Sequence, residues 1–488
     1  MLGVGSRFWA GPCTLSSCKL LWHAMVWDLT PGNAPFDGRW WSPADPSHVV
    51  GGRLSLEDGT WQLRLLGYLG TWNSATGSDE RPEVILGLIG TTPVTLWDLV
   101  PGGLSWTGLE LPHESRVFIN NILIGGHTPS DVTFRAASVR VLNLNEWANR
   151  RPWEHGTDSD DFTHPRVRFT NPDVVTADLP HAKASMVRSW ASAENEFASV
   201  SMTSDERITF RFDEELGLDG IEHDYLRPLL NLIGLASDEQ SHTLGFDALL
   251  SGAPDNDKWV TVLSGLARQK VPEPRNWFEF LFTLKDVAFD VILPAWWQLH
   301  SELGVVMDLV ASLQNGGFVG NQFMNAATAI ESYHRHRTGS DKKSPEHKQR
   351  VKSILNSVPL EHMSWLKEQL AYSHQVPFAQ RVDEVVESAG PLFTNAVGNP
   401  VAWRDWVKSG RNGVAHRDPQ MVNVDREWRT TVRITATMRW LLILVLLRDL
   451  GLSDTVIEKG VRQNRGVEGA TAGLRQVKSE WFAESVEN

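Results

Sequence analysis

The sequence predicts an α+β multidomain chain, with a β-rich N-terminal region followed by an all-α helical bundle. Three observations predict it. Between residue 40 and about residue 142, apolar and polar residues alternate in short runs broken by Gly, Pro and Asp, which is the period of half-buried strands. Beyond about residue 294, apolar residues recur at helical spacing. At 488 residues the chain exceeds one ordinary domain, and length alone predicts roughly three units, with two within range.

In chain order, Val49-Val50-Gly51-Gly52-Arg53-Leu54-Ser55-Leu56 alternates up to the turn signal Asp58-Gly59, and Trp61-Gln62-Leu63-Arg64-Leu65 alternates again. Residues 52–66 therefore read as a hairpin. Further strands are expected near 83–89, 94–99, 116–124 and 132–142, punctuated by Pro101-Gly102-Gly103 and Gly125-Gly126. Residues 146–165 are polar and read as a loop. Glu196 to Met202 and Arg207 to Phe212 read as strands, 222–236 as a helix interrupted by Pro228, and 240–292 as more short strands. Helices are then expected over Leu299–Leu313, Asn325–Arg337, 346–357, 361–372, 376–388, 398–410 and Trp428–Leu450, with a charged loop at Ser340–Pro345. The resulting division is 1–26 as an N-terminal extension with Met25 as an alternative to Met1 as the start, 27–299 as the β-rich domain, 300–460 as the helical bundle, and 461–488 as a polar, loosely held tail.

Composition narrows the chemistry. The net charge of −13 gives no broad electropositive surface for nucleic acid. Any RNA site must be local, and residues 401–450 hold nine Lys and Arg against five Asp and Glu. Cys13 and Cys18 are the only cysteines, too few for a disulfide framework or a four-cysteine zinc site, and a reducing cytoplasm fits. The 22 tryptophans, including Trp40-Trp41 and Trp296-Trp297, read as structural. The apolar run from Trp440 to Leu447 falls far short of the roughly 20 residues of a membrane span, so it reads as the central helix of a bundle and no membrane partner is expected. His334, His336, His347 and His362 match no tight ligand spacing and read as structural or solvated; no metal and no cofactor are expected.

The segment with most chemistry is Arg411-Asn412-Gly413-Val414-Ala415-His416. An Arg supplies a permanent charge for a phosphate, and a His exchanges protons near neutral pH. The bare pattern is cheap, since a chain of this length shows roughly one or two by accident. Arg150-Arg151-Pro152-Trp153-Glu154-His155 is one such copy, read as accidental because it contains a proline and lies in the strand-rich half. At 411–416 a helix-compatible segment precedes the pair, and Gly410 and Gly413 allow the chain to tighten. On a helix Arg411 and His416 are offset by about 140°. A local distortion or a second copy of the chain would be needed to bring them together. A surface Arg beside a capping His is the plain alternative.

The bundle around 411–416 resembles the HEPN superfamily, marked by an Arg, often a polar residue, and a His a few positions on. The segment Asn325-Ala326-Ala327-Thr328-Ala329-Ile330-Glu331-Ser332-Tyr333 is similar to the first long helix of ApeA-like HEPN domains. Gly38-Arg39-Trp40-Trp41 with Pro43, Val50-Gly51-Gly52-Arg53-Leu54, and Phe134-Arg135-Ala136-Ala137-Ser138-Val139-Arg140-Val141 leading to Trp147 resemble that family's N-terminal domain. The likeness covers about residues 36–450. It implies a metal-independent endoribonuclease of anti-phage abortive infection, with Arg411 stabilising charge on phosphorus, His416 transferring protons, and Asn412 orienting the His or holding a phosphate oxygen. Glu331 is a supporting candidate able to pair with Arg411; an exposed helix glutamate is its plain reading. The implied partners are RNA (tRNA or another cellular RNA), a phage-derived trigger, and a second copy in a homodimer or higher oligomer. A non-catalytic RNA-binding or dimerisation bundle is the alternative; a carbohydrate-binding module in the Trp-rich half ranks below both.

Overall fold

The computed structural model describes residues 34–483 except 74–77, 106–112, 158–164, 196–198, 253–257, 265–271, 315, 340–343 and 417–419. The N-terminal extension, Cys13, Cys18, Met25, the acidic run at 158–161 and residues 340–343 of the charged loop lie outside the described residues. The chain divides into two compact units. The first takes the residues up to Leu230 together with Ser241–Arg275 and Ala288–Pro294; the second takes Asn231–Gln240, Asn276–Val287 and everything from Ala295.

In the first unit, β1 (Phe36–Ser42), β2 (Asp45–Glu57) and β3 (Thr60–Leu65) form a meander, with the predicted turn at Asp58-Gly59. A short ribbon of β4 (Thr71–Asn73) and β5 (Ser78–Glu80) follows, then β6 (Val84–Ile89), β7 (Thr92–Ser105) and β8 (Glu114–Ile124). The order β8-β3-β2-β1-β6-β7 closes on itself, because β7 also pairs with β8. This antiparallel barrel is filled by Trp40, Trp61, Leu63, Leu96, Ile119 and Ile122, all at most 2% exposed. Trp40 faces Gly87 across the sheet, where a Cβ would lie 2.2 Å from the indole ring, and its Nε1 donates to the Gly52 carbonyl at 3.2 Å. Glycine at 87 thus lets the largest side chain enter the barrel.

From β8 the sheet continues outward. After β9 (Phe134–Val141) come α1 (Leu144–Ala148), a ribbon of β10 (Trp153–Thr157) and β11 (Pro165–Phe169), then β12 (Val175–Leu179), β13 (Ala182–Asn195), β14 (Ser199–Leu216), β15 (Thr243–Leu250) and β16 (Trp259–Leu263). The order is β12-β13-β14-β9-β15-β16-β8, antiparallel throughout. Two expectations are corrected here. Residues 146–165 are not one loop, since α1 and the β10–β11 ribbon occupy much of the stretch. The ribbon is exposed, so its residues lack the alternation that reveals a strand. The two strands expected around 196–212 are one long β14 with β13 as partner, hidden by Asp205-Glu206-Arg207. Glu206 is fully buried and held by Arg150 at 2.6 Å and Arg188 at 2.7 Å. A charge buried as part of a pair breaks an apolar pattern without breaking the strand.

The helix expected at 222–236 starts earlier, as α2 (Leu218–Ile221) with a wide π turn at Glu222–Leu226 leading into α3 (Arg227–Ser237). Pro228 has no N–H to donate backwards, and the widened turn precedes it.

The second unit is helical: the later part of α4 (Phe289–Ser312), then α5 (Val319–Thr338), α6 (Pro345–Asn356), α7 (Leu360–Leu370), α8 (Phe378–Ala389), α9 (Pro391–Val397), α10 (Pro400–His416), α11 (Trp428–Asp449), α12 (Asp454–Asn464) and α13 (Gly466–Val477). By length and composition α11 could cross a membrane, yet 72% of its most apolar window is buried within the protein. Every residue from Trp440 to Leu447 is at most 4% exposed, the pattern of a bundle's central helix. The polar tail expected from 461 is corrected: α12 and α13 bury Ile457, Val461, Val467 and Leu474 at helical spacing. Small residues allow it. A Cβ on Gly460 would lie 1.9 Å from the Leu281 carbonyl oxygen, and Asn464 Nδ2 donates to the Glu279 carbonyl at 3.0 Å. These contacts explain why Asn276–Val287 belongs with the helices, a boundary that composition does not mark.

Candidate active site

Helix α10 places Arg411. Asn399 Oδ1 accepts from the Ala402 N–H at 3.0 Å, closing one orphan donor of the first turn, and Pro400 needs none. Trp403 and Val407 are fully buried, and Trp403 Nε1 donates to Thr437 Oγ1 of α11 at 2.8 Å. Gly410 continues this inner face, where a Cβ would come 2.9 Å from the Phe323 ring of α5. The helix runs unbroken through 416, so Gly410 and Gly413 do not turn the chain. Their work is close packing. A Cβ on Gly413 would lie 2.4 Å from the Val422 carbonyl oxygen, and the Val422 N–H donates to Ser409 Oγ at 3.0 Å. The segment after the motif therefore folds back along α10, and Thr431 Oγ1 anchors it by donating to the Val424 carbonyl at 2.7 Å.

Arg411 lies at the edge of the buried face with its side chain 31% exposed. Its Nη2 donates to Glu331 Oε2 of α5 at 3.2 Å, while Arg335 Nη2 donates to Glu331 Oε1 at 2.8 Å. The Glu331 carboxylate is thus shared between two guanidinium groups. The Arg411 guanidinium also sits 5.3 Å from the centroid of the Phe378 ring at the start of α8. Asn412 is half-buried one residue further on. His416 closes the helix, and its side chain lies outside the described residues. The structure thus joins Arg411 and Glu331. The unbroken helix separates the backbone positions of Arg411 and His416 by about 140°.

The accidental copy has a structural occupation. Arg150 is bidentate to Glu206, and His155 sits exposed in β10. Among the bundle histidines, His334 has a structural place. His334 is 1% exposed; its Nε2 bonds Glu384 at 2.6 Å and its Nδ1 meets a guanidinium N–H of Arg381 at 3.2 Å. An Arg can only donate, so Nδ1 accepts and Nε2–H donates. The bond from His334, then that from Gln380, holds the Glu384 carboxyl below its ordinary range. Among the described residues no three His, Cys, Asp or Glu side chains cluster as metal ligands. Two contributors escaped sequence reasoning. Phe378 follows a proline at a helix start, which marks a turn and not a platform. Arg381 is 1% exposed, although an arginine in a helix reads as surface.

The chain thus has a strand-rich unit with a closed barrel, followed by a helical bundle carrying an Arg and a His five positions apart on one helix. Residues 35–296 match the family model described as ApeA N-terminal domain 1, and residues 324–456 match that described as Apea-like HEPN. No curated protein and no solved structure matches the chain. The chain belongs to the ApeA-like HEPN family, whose HEPN domain is of the ribonuclease-related, abortive-infection type.

Proposed function

We propose that this chain is a metal-independent endoribonuclease effector of abortive-infection defence, acting in the cytoplasm on cellular RNA. The observation that carries the reading is the fixing of Arg411 by Glu331 and Phe378 on the same unbroken helix that ends in His416. RNA brings its own nucleophile, the 2′-hydroxyl, so the protein need only manage protons and charge. His416 takes the hydroxyl proton or protonates the leaving 5′-oxygen, a contribution of about 10²–10⁴-fold. Arg411, always charged and able to form two parallel hydrogen bonds, stabilises the pentacoordinate phosphorus. Asn412 orients the His or holds a phosphate oxygen. The offset on α10 separates the two groups, so a second copy of the chain supplies the complementary pair, and the working unit is a homodimer or higher oligomer. The β-rich unit serves as the sensor for a phage-derived trigger.

The test uses purified full-length protein, RNA and EDTA. The expected result is cleavage that survives the chelator, leaves 2′,3′-cyclic phosphate and 5′-hydroxyl ends, and is abolished in His416→Ala. Cleavage lost with EDTA, or retained by His416→Ala, would overturn the mechanism. RNA binding without cleavage by the wild type would favour the binding reading.

A further inference from the structure

The first turns of α11 leave an aromatic and basic face uncovered. Trp428 is 53% exposed, and Val432, one turn on, is 40% exposed. Arg426, Arg429 and Arg433 are exposed beside them, and the Arg429 guanidinium lies 5.3 Å from the centroid of the Trp428 ring. A single exposed apolar side chain is ordinary. Its company here is not. Among the described residues Arg426 and Arg429 pair with no carboxylate, although Asp425 and Glu427 flank Arg426 in the chain. Guanidinium groups that stay unpaired beside carboxylates keep their donors free for another anion.

This face follows directly on backbone that touches the motif helix. Val422 lies against Gly413 and Val424 against Gly410, on either side of Arg411-Asn412 in the sequence of α10. Thr431 Oγ1, donating to the Val424 carbonyl, then ties the start of α11 to that segment.

Single-stranded nucleic acid is held by stacking its bases on aromatic side chains and by cations set along its phosphates. A guanidinium over the indole adds cation–π support. In a duplex the bases are already stacked on their neighbours, so only unpaired bases can use such a platform. Protein interfaces also bury Trp and Arg, but free guanidinium donors beside an open ring match a polyanion with flat bases more closely. We propose that the start of α11 is a docking platform for single-stranded RNA, with an unpaired base stacked on Trp428 and the flanking phosphates held by Arg426 and Arg429. The site rests on the RNA reading of this bundle and adds where, and in which form, the RNA is held.

Fluorescence anisotropy tests it, using the full chain with His416→Ala to prevent cleavage and a labelled single-stranded RNA of about 12 nucleotides. Trp428→Ala in that background should weaken binding about fivefold or more, and Trp428→Phe should restore most of it. Replacing both Arg426→Gln and Arg429→Gln should lower the slope of log affinity against log salt by about 1.4, the value for two phosphates of a single strand. The same sequence as a duplex should compete roughly tenfold more weakly. These positions are exposed, so the variants should melt with the parent chain. RNA affinity unchanged in Trp428→Ala, a salt slope unchanged in the arginine variant, equal competition by the duplex, or no RNA binding at all would overturn the proposal. Loss of self-association in Trp428→Ala with RNA affinity intact would overturn it too, and make this face a protein interface. Cleavage by the wild type with RNA affinity indifferent to Trp428 would sink the platform and leave the ribonuclease reading standing. Binding that depends on Trp428 without cleavage would do the reverse.

Discussion

Replacing Gly413 by Ala adds one methyl group to the middle of the motif, and its effect can be worked from two opposing quantities. In an open helix the change would stabilise by about 1 kcal/mol, the propensity difference between the residues. At this position the new Cβ would start 2.4 Å from the Val422 carbonyl oxygen. Carbon–oxygen contacts settle at about 3.3–3.6 Å, so the returning segment must withdraw by about 1 Å. Overpacking of this kind costs about 1–3 kcal/mol. The shift also strains the 3.0 Å bond from the Val422 N–H to Ser409, worth about 1 kcal/mol. The steric side wins, with a net loss of about 1–3 kcal/mol. Gly469 is the control. It lies exposed in α13 with nothing within 4 Å of an added Cβ, so Gly469→Ala should gain up to about 1 kcal/mol. Urea unfolding followed by far-ultraviolet circular dichroism ranks the two variants, and hydrogen exchange over residues 400–416 localises the first. If Gly413→Ala unfolds at the same urea concentration as the wild type or a higher one, the close approach of the two segments is wrong.

Glu331→Gln keeps the shape of the Arg411 contact and removes its charge; cleavage should fall at least tenfold while stability changes by less than about 1 kcal/mol, because the pair is partly solvated. An unchanged rate in a gel assay would remove Glu331 from the site. Arg150→Ala leaves the fully buried Glu206 with Arg188 alone and should cost about 3 kcal/mol, whereas His155→Ala should stay within about 0.5 kcal/mol. Thermal melts of the two variants that coincide would contradict this. Burial, with Asp224 and Asp213 nearby, pushes the Tyr225 hydroxyl up to about 12, and burial beside Asp449 pushes Tyr333 higher still. Unfolded tyrosines ionise near 10, so this stabilisation is complete below pH 10 and is lost as pH rises toward and past 12. Tyrosinate absorbance should therefore show Tyr225 and Tyr333 ionising late or only with unfolding.

The strands β2, β3 and β6–β8 were legible because they have one buried face, and alternation reports that directly; β1 went unnamed. The bundle was legible from its apolar stripes, above all Trp440–Leu447. Strands carrying charge inward were not: Glu206 is buried by pairing, which depends on Arg150 and Arg188 arriving from elsewhere in the chain. Nor were α12 and α13, whose buried faces dilute Ile457, Val461, Val467 and Leu474 with Gly460, Asn464, Ala470 and Gly473 and so carry little of the bulk that marks a core. At the site, Arg411 and its partner Glu331 could be named from the sequence. The glycines could be named but not understood, because the reason for Gly413 is a backbone oxygen on a segment that returns only after the motif ends.

Order of synthesis gives the central helix a second meaning. Arg411 and Glu331 both leave the ribosome before α11, yet the face of α10 that positions the arginine rests on Thr437 and its neighbours. A nascent chain that has reached 416 holds the motif without the floor beneath it. A premature stop between 417 and 427 would leave it so permanently. If the chain cuts RNA, the inner face of α10 gains its support from Thr437 only once α11 has been made, after every residue of the Arg411–Glu331 pair has already left the ribosome.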